Sequence, residues 1–161
     1  MKYLAFCLVM LLAPGAVLHS QQRPTLGPSE PSLRGPGSSQ TANPRRLLQM
    51  RRIYIDRIDH DLNVKLADDL AHVSWIKVVN KRDEADAIVR GSCFSLRNLK
   101  RLHAEVYIND RVTGKSIWQD AIRVPYNPPA LSKAVDEAAA EILSHLSQSM
   151  RAAANPRRDR Y

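Results

Sequence analysis

The residues best suited to binding a partner lie in the stretch LHAEVYIND, residues 102–110. Apolar and polar residues alternate there, so a β-strand would place His103, Glu105 and Tyr107 together on its polar face. An imidazole, a carboxylate and a phenol offer hydrogen-bond donors, acceptors and an aromatic ring to a protein surface. We therefore predict a partner-binding face at these three residues.

Residues that could support catalysis occur elsewhere, but they form no recognised catalytic motif. The sequence has no glycine-rich phosphate loop, no nucleophile elbow and no helical His-Glu pair. Asp83, Glu84 and Asp86, with Asp68 and Asp69 upstream, could act as an acid/base pair or a cation site. Carboxylates in turns and on helix faces more often simply face solvent. We therefore predict no catalytic residue, no metal ligand and no cofactor, and we keep a small hydrolase or metal-dependent enzyme as the alternative.

The histidines, the cysteine and the tryptophans favour structural roles. Four histidines follow residue 20, and no two of them fall at metal-ligand spacing within one element: His60, His72, His103 and His145. Cys93 lies beside Phe94 without a nearby base, which favours a small core residue over a nucleophile. We predict that Trp75 and Trp118 lie in strands and pack in the core.

The N-terminus has the order of a secretory signal peptide. A basic residue precedes the apolar run at residues 4–12, which a Pro-Gly break and a short polar exit follow. The run is much shorter than the roughly 20 residues that span a bilayer. We predict a signal peptide over residues 1–20, cleaved after Ser20, with an uncleaved anchor as the alternative. Cys7 lies inside the apolar run, so we expect a periplasmic or secreted protein that is not a lipoprotein and has no transmembrane span in its mature chain.

Positive charge is concentrated at the ends of the chain. The formal net charge is +8, yet residues 53–150 contain 13 Lys and Arg against 14 Asp and Glu. We predict that arginines in the two flanks, among them Arg45, Arg46, Arg157 and Arg158, can contact an anionic surface. The exported location and the lack of a basic strand interleaved with aromatic residues argue against nucleic acid as a partner.

Composition divides the remaining chain into three parts. Residues 21–50 are rich in Pro, Gly and Ser, which predicts a disordered tether. Residues 51–150 show regular hydrophobic periodicity and are predicted to form a single domain. Residues 151–161 are basic and are predicted to form a disordered tail.

Within the predicted domain, seven elements follow in the order βαββββα. The strands are expected at residues 52–58, 76–79, 86–94, 102–110 and 116–124, and the helices at residues 61–72 and 130–150. Asp59 or Asp61 is expected to cap the first helix. Gly91 suggests a bulge or a close backbone approach, and Gly114 a turn with positive φ. These elements predict an α/β fold of the α+β sandwich type, with a mixed, largely antiparallel five-stranded sheet and two helices on one face.

Short segments of this domain resemble a known family of small α/β domains. They are IYID at 53–56, LADDL at 66–70, IKVV at 76–79, ADAIVRG at 85–91 and DRVTGKSIW at 110–118. The pattern resembles a domain of Gram-negative envelope proteins: the N-terminal domain of the Tol-Pal propeller protein, the periplasmic part of the curli secretion channel, and the lipoprotein activators of penicillin-binding proteins. The resemblance covers residues 51–150.

The resemblance implies a periplasmic binding or assembly module without catalysis of its own. Many members of the group are lipoproteins, and this chain departs from them because no cysteine follows the predicted cleavage site. We therefore predict an exported, non-catalytic envelope module with a protein or glycan partner. Electrostatic binding of anionic surfaces through the arginine-rich ends is a further alternative.

Overall fold

Six strands and three α-helices are present in residues 39–155, the part of the chain that the computed structural model describes. The strands are β1 (Gln40–Thr41), β2 (Arg52–Ile55), β3 (Lys77–Val78), β4 (Ala87–Leu96), β5 (Arg101–Asp110) and β6 (Ser116–Pro125). The helices are α1 (Pro44–Gln49), α2 (Leu62–Ala71) and α3 (Leu131–Ala154). Short 3-10 turns lie at Asp59–Asp61, Arg82–Glu84, Arg97–Leu99 and Pro128–Ala130.

The strands form one mixed sheet in the order β1-β6-β5-β4-β2-β3. Strand β2 runs parallel to β3 and β4, whereas the β4–β5, β5–β6 and β1–β6 pairs are antiparallel. The predicted α/β class and the predicted order of seven elements are confirmed. The sheet has one strand more than predicted and the fold one helix more, because β1 and α1 precede these seven elements.

The core lies between one face of the sheet and the helices. Strand β5 buries every second side chain on that face, as the alternation predicts: Leu102, Ala104, Val106 and Ile108. Leu66 of α2 and Ile142 of α3 are buried in the same cluster. No helix in the described part of the chain is both long and apolar enough to cross a membrane.

The segment before β2 corrects the predicted boundary of the tether. Composition predicts that residues 39–50 belong to the tether, but Asn43 caps α1 by accepting a hydrogen bond from the amide of Arg46. Leu47 and Met50 are fully buried in the core, so this segment gains enough apolar burial to offset its ordering. Residues 21–38 and the predicted signal peptide lie outside the described residues.

Three smaller predictions also need correction. Helix α3 continues to Ala154, past the predicted boundary at residue 150, and residues 156–161 are outside the described part. Trp75 lies partly buried in a turn, not in a strand, because β3 has only two residues. Asp61 starts α2 in the left-handed region with a φ of 60°, and its side chain makes no capping hydrogen bond.

The two glycines act as predicted. A Cβ on Gly91 would lie 2.2 Å from the carbonyl oxygen of Glu105, so β4 and β5 approach each other closely here. The register of the two strands is continuous through this pair, which identifies a close approach and not a bulge. Gly114 has a φ of +68° in the turn between β5 and β6.

Candidate functional site

The face of the sheet opposite the helices is built in rows across β4, β5 and β6. In antiparallel pairs, residues directly opposite each other lie on the same face about 5 Å apart. His103 of β5 therefore lies between Phe94 of β4 and Arg123 of β6. Glu105 and Tyr107 follow on the same side of β5 because side chains alternate along a strand. We call this surface the polar face.

Hydrogen bonds connect the three residues that the sequence singled out. His103 Nε2 lies 2.8 Å from Glu105 Oε1, and the Tyr107 hydroxyl donates to Glu105 Oε2 at 2.9 Å. Arg123 Nε donates to His103 Nδ1 at 3.4 Å, which fits an imidazole whose proton is on Nε2. The structure thus brings His103, Glu105 and Tyr107 together and adds Arg123, which the sequence reasoning missed.

This cluster is half-buried, and its geometry is suited to recognition. Burial raises the pKa of Tyr107 to about 12, and the hydrogen bond to Glu105 contributes in the same direction. The phenol therefore stays protonated and keeps donating to the carboxylate at physiological pH. Both oxygens of Glu105 are occupied, so the side chains hold one another in a single arrangement.

A groove opens beside this cluster, at the end of the sheet where β4 turns into β5. It encloses about 300 Å³, and its walls are Leu96, Leu99, Arg101, His103 and Arg123. The leucines supply an apolar wall, and the two guanidinium groups supply positive charge. This combination suits a ligand that carries an anionic group next to an apolar group.

The acidic residues weighed as catalytic candidates lie apart from this face. Asp83 and Glu84 lie in a 3-10 turn. Asp86 accepts hydrogen bonds from the amides of Arg51 and Arg52, at 3.1 and 2.9 Å, and from the Arg52 guanidinium at 3.1 Å. Burial alone would raise the pKa of Asp86, but the Arg52 and Arg51 amides and the Arg52 side chain lower it below its ordinary value. Through these hydrogen bonds, Asp86 connects the start of β2 to the start of β4.

The other acidic, histidine, cysteine and tryptophan residues weighed from the sequence make contacts that stabilise the fold. Asp68 and Asp69 lie on α2, and His72 Nδ1 is 2.8 Å from the carbonyl oxygen of Asp68. Cys93 is buried, and burial raises the pKa of its thiol to about 11. Trp118 is fully buried as predicted, and its Nε1 donates to the Ser149 hydroxyl at 2.9 Å. Within residues 39–155, no group of three His, Cys, Asp or Glu side chains is arranged to hold a metal ion.

Of the arginines predicted to contact an anionic surface, Arg46 instead forms an ion pair with Asp110 of the domain. Its Nε lies 2.5 Å from Asp110 Oδ2. The Thr113 amide, followed by the Arg46 side chain, lowers the pKa of Asp110 to about 2 against the effect of burial. Arg45 is exposed on α1, whereas Arg157 and Arg158 lie outside the described residues.

A buried hydrogen bond between Asp120 of β6 and His145 of α3 was missed by sequence reasoning. Asp120 Oδ2 lies 2.7 Å from His145 Nδ1, and Glu141 Oε1 is 3.9 Å from His145 Nε2. Burial raises the pKa of Asp120 above its ordinary value, although the contact with His145 acts in the opposite direction. The available signal was that Asp120 alternates in phase with the apolar Trp118 and Ile122, which predicts an inward-facing carboxylate.

Comparison with solved structures identifies two proteins with a similar fold. Two structures of the PelC dodecamer from Paraburkholderia phytofirmans have TM-scores of 0.50 and identities of 12%; the matches cover 70% and 68% of this chain and 98% and 96% of the PelC chain. TolB from Acinetobacter baumannii has a TM-score of 0.48 and 11% identity over 71% of this chain and 31% of its own. No protein-family profile and no curated protein sequence matches the chain.

These similarities show the fold alone. The PelC matches support a distant structural relation to that protein, and the relation to the Tol-Pal propeller protein of the group that the sequence resembles stays a prediction. The relation to the curli channel and to the penicillin-binding-protein activators stays a prediction.

Proposed function

We propose that this chain is a non-catalytic binding or assembly module of the cell envelope, and that its polar face recognises a protein or glycan partner. The observation that carries the proposal is the asymmetry of the sheet. One face packs against α2 and α3, whereas within residues 39–155 no helix or strand packs on the centre of the other face. That uncovered face nevertheless holds the hydrogen-bonded cluster of His103, Glu105 and Tyr107.

Preorganisation makes this cluster suited to binding. A partner that contacts Glu105 does not need to immobilise it, because His103 and Tyr107 already do so. Phe94 and Arg123 lie on either side of His103 and are exposed. Aromatic and arginine side chains contribute a large share of the binding energy at protein interfaces.

One observation supports an exported location, and a second supports association with partners or with copies of the chain. The N-terminal sequence has the order of a signal peptide, and the fold is distantly related to that of PelC, which was crystallised as a dodecamer. An exported module that binds partners or copies of itself agrees with both. N-terminal sequencing of the mature protein should begin at Gln21, and recovery of the uncut chain from the cytosol would contradict the proposed location.

Glu105→Gln is the substitution that tests the polar face. It keeps the size of the side chain but removes the charge that His103 and Tyr107 surround. We expect capture of partners from envelope fractions to fall by about tenfold or more, as when one member of a partly buried polar group is lost at an interface. Glu137→Gln on the exposed surface of α3 is the matched control and should leave capture unchanged.

Equal capture by the two variants would refute the assignment of the polar face. Turnover of envelope material that His103→Ala abolishes would favour the hydrolase alternative instead. Thermal unfolding of each variant separates loss of binding from loss of the fold.

A further inference from the structure

The turn between β4 and β5 exposes apolar side chains at one end of the sheet. Leu99 is 65% exposed in the 3-10 turn, and Phe94 and Leu96 on β4 are 51% and 44% exposed. They are three of the five large hydrophobic residues that are exposed among the described residues. Clustering of this kind on a soluble domain marks a site of interaction.

Positive charge surrounds these apolar residues. Arg97, Lys100 and Arg101 lie in or beside the turn, and Arg123 is close by on β6. In the described part of the chain none of these four forms an ion pair with a carboxylate. Residues 87–104 contain no Asp or Glu at all. The nearly neutral domain therefore has one end where the charge is locally and uniformly positive.

The strand register places the apolar and the basic side chains side by side. Leu96 pairs with Arg101 across β4 and β5, and His103 pairs with Arg123 across β5 and β6. These residues, with Leu99, are the walls of the groove of about 300 Å³ described above. An anionic group in the groove would meet two guanidinium groups, while an attached apolar chain would meet the two leucines.

We propose that this end of the domain, residues 94–101 with Arg123, docks on an anionic lipid surface. Leu99 and Leu96 enter the interfacial layer, and the groove receives the phosphate of a lipid headgroup. The long stems of Lys100 and Arg101 pack along the apolar boundary while their charges stay at the headgroups. Phe94, His103 and Arg123 border both this end of the domain and the polar face, but Leu99 and Lys100, the residues substituted below, lie outside the hydrogen-bonded cluster of His103, Glu105 and Tyr107.

A lipid surface suits these residues better than a protein partner does. The four cations are uncompensated and of one sign, and each Lys or Arg near an anionic bilayer contributes about 1 kcal/mol, or about fivefold in affinity. Leu99 lies in the turn of the hairpin and Leu96 is the last residue of β4 before it, so a planar surface at this end of the sheet can contact both. A protein interface of this size usually pairs charges of both signs around its apolar centre.

The test is cosedimentation of the full mature chain with phosphatidylcholine vesicles that contain or lack phosphatidylglycerol. We expect binding to require the anionic lipid and to weaken as salt screens the attraction. Leu99→Ser should weaken binding by about tenfold, the effect of losing one buried leucine. Lys100→Gln should weaken it by about fivefold.

Matched controls lie in the turn between β5 and β6, at the opposite end of the sheet. Val112 is 74% exposed, more than Leu99, and Lys115 is an exposed cation in the same turn. Val112→Ser and Lys115→Gln should therefore leave vesicle binding unchanged. Thermal unfolding of all four variants shows that each retains its fold.

Three outcomes would overturn the proposal. Equal losses in Val112→Ser and Leu99→Ser would show adhesion without a defined site. Full competition by millimolar inorganic phosphate would indicate a site for a soluble anion. Absence of binding to the anionic vesicles, with a protein captured through Leu99 instead, would identify a protein interface.

Discussion

Asp110 joins the N-terminal helix to the sheet, and replacing it with asparagine tests whether residues 39–50 belong to the folded domain. Its carboxylate accepts the amide hydrogens of Val112 and Thr113, each at 2.9 Å. Arg46 of α1 donates its Nε–H to the other oxygen at 2.5 Å. The Asp110 side chain is only 11% exposed. The Asp110→Asn variant would keep an acceptor for the turn amides, but it would lose the charge that holds Arg46.

The depressed pKa of Asp110 sets the size of the effect. The Thr113 amide, with Arg46 adding to it, lowers that pKa from 3.8 to about 2. Each pKa unit corresponds to about 1.4 kcal/mol, so the full shift corresponds to roughly 2 kcal/mol. Arg46 is one-third exposed, and screening of its charge by solvent reduces the contribution to about 1–2 kcal/mol. We expect Asp110→Asn to lower the free energy of unfolding at pH 7 by that amount.

The dependence on pH has a definite sign. Because the folded state lowers the pKa, the contribution of Asp110 is complete above about pH 4 and is lost as the pH falls toward about 2. Urea unfolding followed by tryptophan fluorescence should therefore show a gap between wild type and Asp110→Asn at pH 7 that closes near pH 2. Arg46→Ala should be non-additive with Asp110→Asn, since both remove one ion pair. Equal stability at pH 7, or a gap that does not change with pH, would refute this account.

Three further predictions concern packing and reactivity. Gly91→Ala should lower the free energy of unfolding by about 3 kcal/mol in thermal denaturation, because its Cβ would lie 2.2 Å from the Glu105 carbonyl oxygen. Leu47→Ala should lower it by about 2–5 kcal/mol and should open residues 39–50 to limited proteolysis, because this side chain is fully buried. The buried thiol of Cys93, whose pKa burial raises to about 11, should react with Ellman's reagent slowly in the native protein and rapidly after unfolding.

The two substitutions each have a control. Gly114→Ala meets no atom within 4 Å and should cost only the strain of its φ of +68°, about 1–2 kcal/mol. Leu48→Ala should cost less than Leu47→Ala, because Leu48 is only partly buried. Equal losses within either pair, or a rapidly reacting thiol in the native state, would contradict the burial on which the predictions rest.

The central sheet could be predicted because its signals are local. Strict alternation in β5 assigns every second residue, from Leu102 to Ile108, to the core. It assigns His103, Glu105 and Tyr107 to the other face, and neither assignment requires knowledge of the partner strands. The close hydrogen bonds among those three follow from the same alternation, since residues two apart on a strand share a face.

The N-terminal elements were missed because composition hid a short local signal. Asn43 followed by Pro44 is a typical helix start, and Leu47 and Met50 have helical spacing. The many prolines and glycines upstream outweighed that signal. Strand β1 has only two residues, and the chain beyond it is held by Ala42 and Asn43 amides that donate to one carbonyl of β6. Such a contact depends on the tertiary fold.

Other parts of the site depend on strand register and helix packing, which local sequence patterns do not predict. Arg123 reaches His103 only because of the β5–β6 register, which includes an irregularity at Ile108/Asn109. The Asp120–His145 pair requires α3 to pack across β6. The basic end of the domain was hidden because its charges cancel in the net charge of residues 53–150.

The direction of α3 separates the two ends of the molecule. The chain leaves β6 beside the β4–β5 turn, where the Tyr126 amide donates to the Lys100 carbonyl, and α3 then passes Asp120 and Trp118 on the way to Ala154. Twenty residues of helix place Arg151 roughly 30 Å from the start of α3 at Leu131. A domain docked on a membrane through Leu99 would therefore keep the last turn of α3, at Ala154, well away from the lipid surface.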